Sequence, residues 1–147
     1  MISLRHFCPR DAEAVRGALY PDRTADEAAA MIAAWNTCVY QGRYFETFAV
    51  LRDDAIVGQV SLYELSRSVV SAGVEITGAQ RGKGFASEAL SRLLKYASDR
   101  KYRLVLDQVR TDNPASIRLH EKLGFESDGY VYRNRRDHAI FLYIKPL

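Results

Sequence analysis

The sequence predicts one domain of mixed α/β class, a sheet with helices packed on it, on three observations. Hydrophobic residues alternate with period two in some stretches and recur at spacings of three and four in others. A strongly striped helix runs into a β-rich segment with hardly any linker, so the strands on either side of it form a strand, helix, strand unit and must be parallel. Finally, 147 residues are the length of one domain, and no repeat, linker or low-complexity segment divides them. A single domain over residues 1–147 is expected.

The elements follow in order. Met1 to Phe7 sets Ile2, Leu4 and Phe7 against Ser3, Arg5 and His6, the pattern of a short strand. Pro9, Asp11 and Glu13 suit the first turn of a helix whose apolar side is Val15, Ala18 and Leu19, and Pro21 ends it. Thr24 stands three residues before Glu27, a capping box for a second helix with Ala28, Met31, Ile32 and Trp35 as its buried stripe. From Tyr44 the period becomes two. Strands are expected from there to Arg52, over Ile56 to Leu65 and over Val69 to Thr77, joined by tight turns as an antiparallel meander. Gly78 to Gly84 breaks the pattern, and Ser87 to Arg100 is helical, with Ala86, Ala89, Leu90, Leu93, Leu94 and Ala97 on one face. Tyr102 to Val109 is the next strand. Asn113 before Pro114 reads as an N-cap with proline at the first helical position, and Gly124 stops that helix. Phe125 to Tyr132 and Ala139 to Lys145 are expected as the last two strands.

Composition excludes several classes. With 48% hydrophobic and 27% charged residues the chain is globular rather than disordered. Cys8 and Cys38 form no C-x-x-C pair, which argues against a disulfide framework or a zinc knot and fits a reducing compartment. His6, His120 and His138 are too scattered for a metal site. Nothing resembles a signal peptide or a membrane span, so a soluble, cytoplasmic protein without a membrane partner is expected. The net charge of +3 favours a phosphate-bearing ligand without amounting to a nucleic-acid footprint, and no nucleic-acid partner is expected. Arg133, Arg135 and Arg136 read as a solvated face, an RNA contact being the weaker alternative because no stacking motif accompanies them.

The strongest local feature is Gln80-Arg81-Gly82-Lys83-Gly84-Phe85-Ala86, between a strand and a long helix. Glycines there let the backbone approach an anion, and free amides with the helix dipole favour negative charge, although a plain turn would also use glycine. A P-loop does not fit, since Thr77 stands where it needs glycine and Gly84 where it needs serine or threonine. A dinucleotide fingerprint fits weakly, because Gly82 and Gly84 lead to Ser87 and no acidic residue with a clear ribose role follows.

Arg81 to Ala86 matches R-x-x-G-x-A, and the segment resembles the acetyl-coenzyme A (acetyl-CoA) signature of the GNAT superfamily of N-acetyltransferases. A second block, Asn113 to Phe125, resembles that superfamily's later motif N-x-x-S-x-x-x-[YH]-x-K-x-G-F through Asn113, Ser116, His120, Lys122, Gly124 and Phe125. The resemblance spans Val69 to Tyr130 and is nearest in motif to the ribosomal-protein and spermidine acetyltransferase branch. It implies a mostly antiparallel sheet of about seven strands with about four flanking helices, splayed between the fourth strand (Val69 to Thr77) and the fifth (Tyr102 to Val109). The cofactor is expected in that wedge.

The resemblance also implies roles. Amides of Gly82, Lys83, Gly84, Phe85 and Ala86 would hold the pyrophosphate, with Arg81 and Lys83 adding charge. The backbone of Val74 and Ile76 would pair with the pantetheine arm. Asn113 and Ser116 belong to the second motif, and Asn113 would contact the cofactor as well as cap its helix. His120 stands where many relatives carry a tyrosine that protonates the departing thiolate; histidine titrates near neutrality and suits that task, or it is simply a packed, hydrogen-bonded histidine. Glu75 is the candidate general base, acting through water, or a solvent-facing glutamate. Trp35, Tyr40, Tyr44 and Phe45 read as core, or as walls of an acceptor pocket. The expected activity is transfer of the acetyl group of acetyl-CoA, without a metal, to a primary amine of a small molecule, polyamine or peptide by direct attack, in a monomer or homodimer. The alternative is a non-catalytic acyl-CoA-binding sensor or interaction module.

Overall fold

In the computed structural model, which describes residues 1–147, the alternating N-terminal segment is strand β1 (Ile2–His6). A single 3-10 turn at Pro9–Asp11 leads into helix α1 (Ala12–Ala18), so proline and aspartate open the helix as the sequence implies, but through a tighter turn. Helix α2 (Ala25–Trp35) carries the expected box: Thr24 Oγ1 accepts from the Glu27 amide at 3.1 Å and Glu27 Oε1 from the Thr24 amide at 3.0 Å. Its Ala28 and Ile32 are buried, whereas Met31 and Trp35 are only half-buried.

Two-residue β2 (Val39–Tyr40), β3 (Arg43–Arg52), β4 (Ala55–Glu64) and β5 (Val69–Ile76) form the antiparallel meander. Helix α3 (Phe85–Asp99) crosses to β6 (Leu104–Arg110), which is parallel to β5 as the strand, helix, strand unit demands. Helix α4 (Pro114–Lys122) is capped by Asn113, whose side chain accepts from the Ser116 amide at 3.1 Å, and ends at Gly124 with φ +87°. Strand β9 (Ala139–Pro146) returns beside β6.

The stretch Phe125 to Tyr132 departs from expectation. Only β7 (Glu126–Ser127) and β8 (Tyr132–Arg133) pair with β9. Between them the Ser127 hydroxyl accepts from the Gly129 amide and the Asp128 carboxylate from the Tyr130 amide, turns that take the backbone off the ladder at Gly129, φ +80°. The sheet therefore has nine strands, three of them only two residues long, in the path β1-β3-β4-β5-β6-β9-β7.

Alternation along the strands sends side chains to two layers. Phe48, Val50, Val60, Leu62 and Val70 meet Leu90, Leu93 and Ala97 of α3 in the main core. On the opposite face Ala49 and Phe7 meet Val15, Ala28 and Ile32 under α1 and α2. Two buried carboxylates tie the layers. Glu46 accepts from the hydroxyls of Tyr44 (2.6 Å) and Tyr96 (2.7 Å) and pairs with His6 (2.5 Å), which joins β1, β3 and α3. Asp11 takes both terminal nitrogens of Arg5, at 2.7 and 3.0 Å, and the Cys8 amide at 2.8 Å. That guanidinium clamp holds the Asp11 carboxyl down at a pKa of about 2. The longest α-helix has 15 residues, and no helix is long and apolar enough to cross a membrane.

Candidate active site

Strands β5 and β6 pair only through Val69 with Leu104 and Val70 with Val105. Beyond them a side chain replaces the ladder. Asp107 of β6, buried on the same strand face as Val105 and Val109, accepts from the Ala72 amide at 2.8 Å and the Ser71 hydroxyl at 3.0 Å. The two strands splay from that point, as the resemblance implies.

The remainder of β5 is left with a free edge. Successive residues of a β4-paired strand turn their amides alternately toward β4 and away from it. Ala72 turns its amide away, so Val74 and Ile76, in unbroken register, do the same and face the gap.

The gap widens into a groove of about 650 Å³ between the end of β5, the start of α3 and helix α4. The amides from Gly82 to Ser87 find no acceptor within the protein, as the first amides of a helix must unless a cap or ligand takes them. Gly82 and Gly84 have φ of +77° and +81°, and a Cβ on either would project into open space. Only glycine holds that curvature without strain, and it leaves the amides uncovered. With the positive end of α3 behind them, these amides form an anion cradle.

Of the residues expected here, the groove brings together Val74, Glu75, Ile76, Arg81, Gly82, Gly84, with Phe85, Ala86, Asn113 and Ser116 completing its wall. The Arg81 guanidinium is steadied by the Ile76 carbonyl at 3.0 Å. The Lys83 amide belongs to the uncovered run, while its ammonium donates to the Gln80 side chain, at the groove's edge, at 3.2 Å. Two cations that the sequence reading missed, Arg118 and Lys122, line the groove as well. Ala115, Arg118, Leu119 and Lys122 repeat at spacings of three and four along α4, and that face forms the groove's far wall. The amphipathic spacing is visible in the sequence, but its direction depends on where α4 docks. Arg118 and Lys122 have no acidic partner, so the groove carries surplus positive charge.

His120 does not line the groove. Its ring is buried, packed edge-on to Phe125 and tied at both nitrogens: Nε2 to Asp107 Oδ2 at 2.9 Å and Nδ1 to the Ser116 carbonyl at 2.8 Å. A carboxylate and a carbonyl only accept, so both ring nitrogens must donate and the ring is an imidazolium. Burial works against that charge, yet the hydrogen bonds to Asp107 and Ser116 outweigh it and raise the His120 pKa. A direct proton donor in the groove is therefore not what this geometry offers. The Ser116 hydroxyl, 3.4 Å from Nδ1, is the groove group nearest the ring. Asp107 was missed in the sequence, although a charge in phase with Val105 and Val109 on a buried strand face is the signal that finds it.

A second cavity, of about 280 Å³, lies on the α1/α2 face of the sheet. Val74 and Glu75 line both cavities, so Glu75 stands where they meet. Gln59 Nε2 donates to Glu75 Oε2 at 3.1 Å and to the Tyr20 hydroxyl at 2.6 Å, fixing the carboxylate against the far wall. Of the four aromatic residues read as core or as pocket walls, Trp35 and Phe45 line this cavity and Tyr40 and Tyr44 do not, the Tyr44 hydroxyl being spent on Glu46 on the other face of the sheet. No cluster of His, Cys, Asp and Glu is arranged to hold a metal ion, and both cysteines are free.

Comparison with known proteins agrees with this geometry. The family model described as "Acetyltransferase (GNAT) domain" matches residues 2–126. YokL of Bacillus subtilis, described as a prophage-derived uncharacterized N-acetyltransferase, is 36% identical over 59% of this chain and 51% of its own length. The uncharacterized N-acetyltransferase YoaA of the same organism is 28% identical over 97% of this chain and 93% of its own. Among solved structures, Mycobacterium smegmatis RimJ in complex with CoA-disulfide superposes with a TM-score of 0.86 at 16% identity, over 99% of this chain and 81% of that one, a likeness of fold.

Proposed function

Because the chain belongs to the GNAT acetyltransferase family, we propose that it transfers an acetyl group from acetyl-CoA to a primary amine. Acetyl-CoA would occupy the groove and the amine the second cavity. One observation carries this assignment: the two cavities abut at Val74 and Glu75, so a thioester entering from one side and an amine from the other meet beside a carboxylate.

The groove's residues fit the cofactor. The uncovered amides from Gly82 to Ser87 suit a pyrophosphate, and Arg81, Arg118 and Lys122 add positive charge around it. The free edge of β5 at Val74 and Ile76 suits an extended amide-bearing arm, which pairs with it as a further strand would. Asn113 and Ser116 complete the wall facing that edge.

When bound, acetyl-CoA would supply the thioester that the amine attacks directly, the new C–N bond replacing the C–S bond and CoA leaving as a thiolate that takes up a proton from water. Glu75 takes the proton from the ammonium, which gives the nitrogen its lone pair, and Gln59 keeps the carboxylate turned to that task. Whichever of the outward amides of Val74 and Ile76 the arm leaves unpaired would offer a donor to the carbonyl oxygen as negative charge develops on it. His120 acts as a positioning residue, holding Asp107 in the splay and Ser116 at the groove wall.

Glu75→Gln tests the reading. Removing the base should lower kcat by about a hundredfold or more while leaving the KM for acetyl-CoA within about twofold. Full kcat in that variant removes Glu75 from the mechanism. Failure of the wild type to release thiol with any amine, polyamine or peptide while acetyl-CoA binds would leave the non-catalytic binding module as the reading.

A further inference from the structure

The geometry points to a specific class of acceptor: a primary monoamine with a flat apolar body, an arylalkylamine, that carries no carboxylate next to its amino group. This rests on the acetyl-transfer reading above and sharpens it.

Three features of the second cavity carry the inference. The first is its charge. Glu75 is the only acidic group lining it, and no lysine, arginine or histidine does so. An ammonium finds one counter-charge at the mouth, whereas an α-amino acid would bring its carboxylate to roughly 5 Å from Glu75 with no cation to receive it. Two like charges at that distance and an effective dielectric of about 20 oppose each other enough to weaken binding on the order of a hundredfold. A polyamine fares poorly for the opposite reason, since its further ammonium groups meet no second carboxylate.

Shape is the second feature. Tyr20, Trp35 and Phe45 come from three separate parts of the chain and converge on the cavity, with the Tyr20 and Trp35 rings 6.3 Å apart and tilted by 47°. Trp35 is braced from behind by Phe7 at 4.9 Å. Such walls suit a planar apolar body. At about 280 Å³ the cavity has room for one aromatic ring and a short alkyl chain.

The floor is the third. Gly73 of β5 lines the cavity, and its backbone is not in the left-handed region, so glycine is not there for the turn. A Cβ at Gly73 would meet the Ser61 hydroxyl at 3.1 Å, another lining group, and would take space from an occupant. The missing side chain is what leaves room between the aromatic walls and Glu75.

The test compares matched acceptors with the full chain and acetyl-CoA, following thiol release and product mass: phenethylamine against L-phenylalanine, tyramine against L-tyrosine, and spermidine and a serine-initiated peptide alongside. The arylalkylamines should exceed their parent amino acids by about a hundredfold in kcat/KM. Preference for an amino acid, spermidine or the peptide overturns the inference and leaves acetyl transfer standing, while turnover of none of them overturns both. Gly73→Val separates a role in specificity from one in folding. In a variant that melts like the wild type, the KM for phenethylamine should rise about tenfold, and by more than the KM for ethylamine, which needs less of the cavity. An unchanged KM for phenethylamine overturns the assignment of this cavity.

Discussion

Replacing His120 by phenylalanine tests the chemistry of the buried pair most directly. His120 and Asp107 are 6% and 3% exposed, and the ring's two hydrogen bonds go to groups that can only accept. Phenylalanine keeps the edge-on contact to Phe125, at 4.7 Å between centroids, so packing is largely preserved and the charge is what disappears. Removing one partner of a buried ion pair costs about 3–5 kcal/mol. Asp107 keeps the Ala72 amide and the Ser71 hydroxyl, which places the loss near the lower end, about 3 kcal/mol. For a domain of this size that corresponds to a melting temperature lower by about 6–12 °C.

The dependence on pH has a definite sign. The folded pKa of His120 lies above its ordinary value of 6.5, so the pair contributes fully below that value and its contribution is lost as pH rises through the folded pKa. The stability gap between wild type and variant should be widest in mildly acidic solution and narrow in alkaline solution. Urea unfolding across that range measures it, and imidazole nitrogen shifts read the protonation directly. A gap below about 0.5 kcal/mol at every pH, or one that widens as pH rises, would refute the imidazolium assignment. A residue that only positions Ser116 and Asp107 should lower kcat by no more than about tenfold when replaced; a direct general acid would cost a hundredfold or more.

Arg118→Ala and Lys122→Ala should each raise the dissociation constant for CoA about three- to fivefold, with the effect fading at high salt, as calorimetry at two ionic strengths would show. Gly58 faces β5 so closely that an added Cβ would collide with the Glu75 carbonyl oxygen. Gly58→Ala should therefore cost about 2–3 kcal/mol in chemical denaturation and, by displacing Glu75, lower kcat more than it raises the KM for acetyl-CoA. Asp11→Asn should cost about 2 kcal/mol at neutral pH. Since the Asp11 pKa is depressed to about 2, its contribution is present above the unfolded value of 3.8 and is lost as pH falls through about 2, so wild type and variant should converge in strong acid.

Much of this protein is written in local sequence. The Thr24–Glu27 box, the Asn113-Pro114 cap and the stripe from Ala89 to Ala97 all appear where spacing puts them, because capping and amphipathicity involve residues within a turn or two of one another. The glycine turn is legible for the same reason: its shape lies in its own backbone, in the φ angles of Gly82 and Gly84 and the amides they leave uncovered. The segment from Asp128 to Val131 misleads, since its β-forming residues are overruled by side-chain turns at Ser127 and Asp128.

Other features depend on contacts between distant parts of the chain. Lys83 and Lys122 are equally basic in the sequence, yet only Lys122 lines the groove, because the docking of α4 decides which cation faces it. His120 carries the family motif, but its surroundings turn on Asp107, thirteen residues away, which takes one ring nitrogen while bridging β6 to Ser71 and Ala72 of β5. Glu75 becomes a meeting point only when β4 brings Gln59 beside it and the turn after α1 brings Tyr20 to Gln59. The sequence by itself determined most of the elements, the glycine turn and the family resemblance, since those are properties of short segments. Tertiary structure alone decided which charges face which cavity, because a side chain's partners and its exposure to water exist only once distant segments have packed together.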